Sequence, residues 1–256
     1  MRIFTLLLLI IVFSCKTSSE KKEEPQSTSV QGLETQLDSL FNAYISPDDP
    51  GAALMVAYDG EMLVGKGYGI RDLESKAPIT KNTNMRMASV SKQFTNLSLL
   101  TLMDQGKLSL NDTVYKFWPL EVFKNITVTQ LINHTSGLAD YEEAFKTDWD
   151  RTIVVENKDI LHWLGTNPTP RFDPGEKWEY SNTAYIVLAL LTEKLSGRDF
   201  AIYAREAVFE KAGMKNTNYY SLAHPIAIKE RSFCYEKDSL GSWKKVDGFF
   251  LNGVLG

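Results

Sequence analysis

Ser89-Val90-Ser91-Lys92-Gln93-Phe94-Thr95-Asn96-Leu97-Ser98-Leu99-Leu100-Thr101-Leu102-Met103 opens a long apolar element that Gly106 closes. Leu97, Leu99, Leu100, Leu102 and Met103 cover much of a helix's circumference rather than one stripe, as in a helix buried at a domain centre. Ser89 at its start meets the positive end of the helix dipole and N–H groups that no earlier turn satisfies. Lys92, three residues on, lies on the same face. Partly desolvated, such a lysine pays to keep its charge and becomes able to take a proton from the neighbouring hydroxyl. Ser-x-x-Lys also starts at Ser18, Ser19 and Ser242, but in polar stretches with no helix behind them. Taken alone, a catalytic pair and a capping serine with an outward lysine explain Ser89 and Lys92 equally well.

Outward from this element, Leu33, Leu37, Leu40, Phe41 and Tyr44 follow helical spacing, closed by Pro47 and Pro50. Residues 52–58 read as a strand, Asp59-Gly60 as a hairpin turn and Met62-Leu63-Val64 as the returning strand. Downstream, the pattern predicts a helix over 128–133 and a loop rich in aromatics and acids from Tyr141 to Asp150. Helices from Asn182 to Gly197 and from Asp199 to Ala212 follow, the second closed by Gly213. The expected fold is α/β in the α+β sense: an antiparallel sheet flanked by helices, plus a mostly helical region over 105–215. The site belongs where the two meet.

The chain has 256 residues, 43% of them apolar and 23% charged, enough for one large domain with its own core. That composition excludes wholesale disorder and a disulfide scaffold. A net charge of −4 argues against a nucleic-acid partner. Arg2, an apolar run from Leu6 to Phe13, and Ser14 before Cys15 read as a secretory leader over residues 1–15. Val12-Phe13-Ser14-Cys15 resembles a bacterial lipobox, which makes Cys15 the lipidation site and the protein a membrane-anchored lipoprotein of the cell envelope, facing periplasm or exterior. Residues 16–31 are a polar tether, and 32–256 form the folded part, taken as a monomer. Cys234 is left without an intramolecular partner. The chain stops at Gly253-Val254-Leu255-Gly256 with no cap or charged tail, and so reads as cut short at its C-terminus.

Pro174-Gly175-Glu176-Lys177-Trp178-Glu179-Tyr180-Ser181-Asn182 ends a loop and starts an apolar helix, and Tyr-x-Asn occurs in the chain only at Tyr180 and Asn182. A tyrosine beside the Ser–Lys pair could shuttle a proton, and an asparagine amide could steady the lysine and bind a substrate carbonyl. A loop tyrosine followed by a capping asparagine would look the same. Ser89-x-x-Lys92, Asn133-His134-Thr135-Ser136-Gly137-Leu138, Phe172-x-Pro174-Gly175 and Tyr180-Ser181-Asn182 occur in the order of one superfamily. Together they resemble the serine β-lactamase and DD-peptidase group, nearest its class C β-lactamase-like branch and esterase relatives.

The resemblance implies that Ser89 is the acylated nucleophile, Lys92 its proton acceptor and Tyr180 a proton shuttle, with Asn182 binding substrate and residues 134–138 forming a structural turn. It implies a serine hydrolase acting on amide or ester bonds, of DD-carboxypeptidase, β-lactamase or esterase type, with small molecules or peptidoglycan peptides as substrates and no cofactor or metal. A catalytically inactive binding or sensor lipoprotein on the same scaffold is the alternative. The group's third element, Lys-Thr-Gly or His-x-Gly, is missing between Gly197 and Gly256, which supports reading the chain as the N-terminal part of a longer protein. Two rivals fare poorly. A triad of Ser136, His134 and Asp140 lacks the nucleophile elbow, and the scattered His134, His162 and His224 lack metal-ligand spacing.

Overall fold

The computed structural model describes residues 30–222 and 225–247. The expected leader with Cys15, the tether as far as Ser29, His224 and the last residues from Gly248 lie outside them. Helix α1 (Val30–Tyr44) begins two residues inside the expected tether. It lies against a hairpin of β1 (Ala52–Tyr58) and β2 (Glu61–Tyr68). The hairpin is antiparallel, pairing Ala52 with Tyr68 and Val56 with Val64 before the register shifts at Ala57. Its turn works because Asp59 and Gly60 both take positive φ, 48° and 80°, the twist a two-residue hairpin needs. Phe41 stacks on Tyr68 at 4.6 Å, and Asp38 accepts hydrogen bonds from Lys66 and Tyr68, fixing α1 to β2.

Two further short antiparallel ladders form separate two-stranded sheets: β3 (Ile70–Asp72) with β4 (Ala77–Pro78), and further on β5 (Tyr235–Lys237) with β6 (Trp243–Lys245). Gly67 is required here, because a Cβ on it would lie 2.0 Å from the carbonyl oxygen of Ile79. That close crossing carries the chain from β4 toward Ser89.

The helical region follows: α2 (Lys92–Asp104), α3 (Val128–Ile132), α4 (Tyr141–Asp148), α5 (Asn157–Thr166), α6 (Asn182–Ser196) and α7 (Phe200–Ala204), which runs on into a π turn at Arg205–Phe209. The central helix is α6 rather than α2. Nine α6 residues are buried, Thr183 to Ala189 with Leu191 and Thr192, because α2, α3, α4, α5 and α7 all pack around it. Each fully buried leucine such as Leu188 contributes roughly 1.5–3 kcal/mol by leaving water. In α2 only Thr95, Ser98, Leu99 and Leu102 are buried, and Leu97 is 45% exposed, so the expected all-round burial of α2 is corrected. The expected loop at 141–150 is also corrected: Tyr141–Asp148 is helical, with the Asp140 carboxylate capping it through the Glu142 N–H. Tyr141 and Phe145 point into the core, and that anchoring makes a helix of a polar stretch.

Candidate active site

Ser89 lies in a 3₁₀ turn, Ala88–Ser91, that leads directly into α2. Ala88 just before it has φ +44°, a left-handed conformation that costs a non-glycine residue roughly 1–2 kcal/mol. Strain of this kind gathers at functional sites, where surrounding structure holds it in place.

Tyr180 and Asn182 arrive from the other side, on the loop that starts α6. Ser181 caps α6 by accepting the Ala184 N–H, so Asn182 is the first helical residue and not the cap. The loop is seated on the turn at 133–138. Arg171 N donates to Gly137 O, Gly175 N to Thr135 O and Glu179 N to His134 O. Gly137, at φ +75°, lets the Phe172 carbonyl approach to 2.2 Å from where a Cβ would stand. Two motifs far apart in the sequence are therefore the two halves of one clamp.

The four predicted residues meet. Ser89 Oγ and Tyr180 Oη share a hydrogen bond of 2.7 Å. Lys92 Nζ donates to Ser89 Oγ at 3.4 Å and to Asn182 Oδ1 at 2.9 Å. The ammonium also lies 5.0 Å from the Tyr180 ring centroid and 5.3 Å from that of Tyr185, within range of cation–π attraction. Ser89 and Tyr180 are exposed, the latter at 40%, so a substrate can reach both oxygens. Ser89 lines a cleft of about 630 Å³ together with Arg86, Lys92, Glu142, Asn182 and Tyr219. That volume suits a small molecule or a short peptide end. Ala53 of β1 also lines it, so the cleft lies where the hairpin meets the helices.

His134, Asp140 and Glu142 were not legible in the sequence as neighbours of the pair. The His134 ring stacks on Tyr180 at 4.6 Å, and its Nδ1 accepts the Ser181 N–H at 3.2 Å. Burial, with the nearby Lys92 charge, holds its imidazole below the usual 6.5. Asp140 and Glu142 accept from the Asn182 amide. Their one sequence signal was Asp140 ahead of an acid-rich first turn, a helix-start pattern. The rival triad is not assembled: Ser136 is buried with Oγ accepting the Leu138 N–H, and Asp140 faces Asn182.

Known proteins share the sequence pattern and the fold of this chain. Residues 37–233 match the family model described as Beta-lactamase. The chain belongs to that family. Penicillin-binding protein 4* of Bacillus subtilis is 33% identical over 192 residues, which is 75% of this chain and 43% of that protein. The chain thus spans less than half the length of this curated relative. Among solved structures, the octameric penicillin-binding protein homologue from Pyrococcus abyssi superposes with a TM-score of 0.71 at 27% identity, over 85% of this chain and 50% of that one. D-amino acid amidase from Ochrobactrum anthropi SV3 shares the fold, with a TM-score of 0.72 at 23% identity, over 86% of this chain and 64% of that one. The mixed α/β fold of the beta-lactamase and penicillin-binding proteins is therefore the fold of this chain.

Proposed function

We propose that the protein is a serine hydrolase that cleaves amide or ester bonds through an acyl-enzyme. The observation that carries this reading is the Ser89 hydroxyl held between Tyr180 Oη and Lys92 Nζ at the edge of an open cleft. Ser89 Oγ attacks the substrate carbonyl as its proton passes to the Lys92–Tyr180 pair, which in the reactive state holds one proton fewer than its full complement. The same pair then protonates the leaving group. The acyl group stays on Ser89 until water attacks it, losing a proton to the pair, and the pair returns that proton to the departing Ser89 Oγ. The two groups act as one coupled unit, since both contact the same oxygen. Asn182 has both N–H donors engaged by carboxylates, and so offers a substrate the remaining lone pair of Oδ1 rather than a donor.

Penicillins and D-alanyl peptides are the proposed substrate class, in keeping with the penicillin-binding name of the similar Bacillus subtilis protein. Incubation of the full-length protein with a fluorescent penicillin and with p-nitrophenyl esters tests the proposal. One covalent label per chain, or turnover of an ester, is expected, and both disappear in Ser89→Ala. A folded wild-type protein that neither takes label nor turns over ester overturns it. We also propose that the protein is a monomer on the cell envelope, held by a lipid on Cys15 and a tether that ends where α1 begins at Val30. Cys15→Ser is expected to move it from the detergent phase to the aqueous phase, and unchanged partitioning refutes the anchor.

A further inference from the structure

We propose that Asp140 is a positioning residue that sets which way the Asn182 amide faces, and through it where Lys92 sits. The inference rests on reading Ser89 and Lys92 as the reacting pair. Asp140 stands at the start of α4 and uses its two oxygens for two tasks. Oδ1 accepts the Glu142 N–H at 2.9 Å and caps the helix. Oδ2 accepts twice from Asn182, from the backbone N–H at 2.9 Å and from Nδ2 at 3.2 Å. Glu142 Oε1 takes the amide's other hydrogen at 3.3 Å, while its Oε2 pairs with Lys146 at 3.0 Å.

An ionised carboxylate only accepts, and an ammonium only donates. Between two carboxylates on one side and Lys92 Nζ on the other, the Asn182 amide has a single orientation that satisfies all of them. NH₂ turns to Asp140 and Glu142, and Oδ1 turns to Lys92 at 2.9 Å. The reversed amide would set its oxygen against two carboxylates and its NH₂ against an ammonium. The loop holding Asp140 is itself fixed to α6: Tyr141 N donates to Thr183 Oγ1 at 2.8 Å, and Thr183 Oγ1 donates to Ala139 O at 2.7 Å. The order Asp140–Asn182–Lys92–Ser89 is a relay of position, with the carboxylate remote from the reacting atoms.

The test separates position from mere capping. Asparagine caps a helix as well as aspartate does, so Asp140→Asn keeps the α4 cap and removes the anionic acceptor. The acylation rate by fluorescent penicillin is expected to fall by up to about 10²-fold, because small misplacements of a reacting group cost that much. Label stoichiometry and KM for an ester should hold, with a further fall in Asp140→Asn/Glu142→Gln. Asp199→Asn, the same exchange at the cap of α7, serves as control and leaves the rate unchanged. A wild-type rate in Asp140→Asn overturns the inference while leaving the serine-hydrolase reading intact. A second readout stands apart from activity. In NMR spectra of labelled protein, NOEs from the Asn182 side-chain NH₂ to Asp140 Hβ are expected in the wild type. They should weaken in the double variant, where the amide loses both anionic acceptors. An NH₂ group that contacts Lys92 already in the wild type refutes the proposal even if no substrate is ever turned over.

Discussion

His134 is the residue whose chemistry is most exposed to test, because a titratable ring is pressed flat against Tyr180 beside the ammonium of Lys92. Burial is the larger cause of its lowered value and the Lys92 charge the second. The sign follows from linkage: the unfolded chain takes up this proton first as pH falls below 6.5, and the folded chain only at its lowered midpoint. The stability linked to a neutral His134 is therefore whole above 6.5 and drains away as pH drops through the folded value. NMR titration of the His134 ring is expected to give a midpoint below 6.5, moving upward in Lys92→Met, where the competing charge is gone. A wild-type midpoint at or above 6.5 would sink this account. Neutral His134 also matters to the site, since its protonation would set a second cation beside Lys92 and break the Ser181 N–H contact to Nδ1.

At the scale of elements, legibility tracked how local the deciding physics was. The β1–β2 hairpin was readable because Asp59-Gly60 carries its own backbone requirement, and α6 because Gly197 closes it with a left-handed C-terminal residue at φ 69°. Ser89 and Lys92 were readable as neighbours for the same reason, since three residues of helix fix their distance whatever the fold. Helix α4 was misread as a loop because its sequence, Tyr-Glu-Glu-Ala-Phe-Lys-Thr-Asp, is mostly polar and is helical only through Tyr141, Phe145 and the clamp to Thr183. Which helix is central was equally invisible. Apolar residues circle both α2 and α6, but only packing partners distant in sequence decide that α6 is enclosed while Leu97 of α2 meets water. Ladders as short as β3–β4 or β5–β6 hold too few residues to show a period of two. The seating of the Tyr180 loop on the 133–138 turn is another contact between remote segments, and no spacing rule announces it.

For the molecule as a whole, one face of the hairpin exposes several large apolar side chains together. Met55 is 69% exposed, Tyr58 75% and Met62 50%. Met55 stands opposite Gly65, which has no side chain to cover it, and Met62 Sδ lies over that glycine. Among the described residues β1 pairs only with β2, and its other edge has no strand partner among them, beside an apolar face. Such an edge invites pairing with a second copy, and a net charge of −4 spread over 256 residues repels copies only weakly. This chain is therefore expected to associate reversibly as its concentration rises, even though the proposed working form is a monomer. Met55→Lys places a charge on that edge at a position too exposed to matter for the core, so it should shift stability by no more than about 0.5 kcal/mol. Sedimentation velocity across a concentration series checks the point. Wild type should drift toward larger species while Met55→Lys stays monomeric with an unchanged melting temperature. Equal drift in both would show that some other face does the pairing, and the absence of drift in the wild type would show that this edge is already protected.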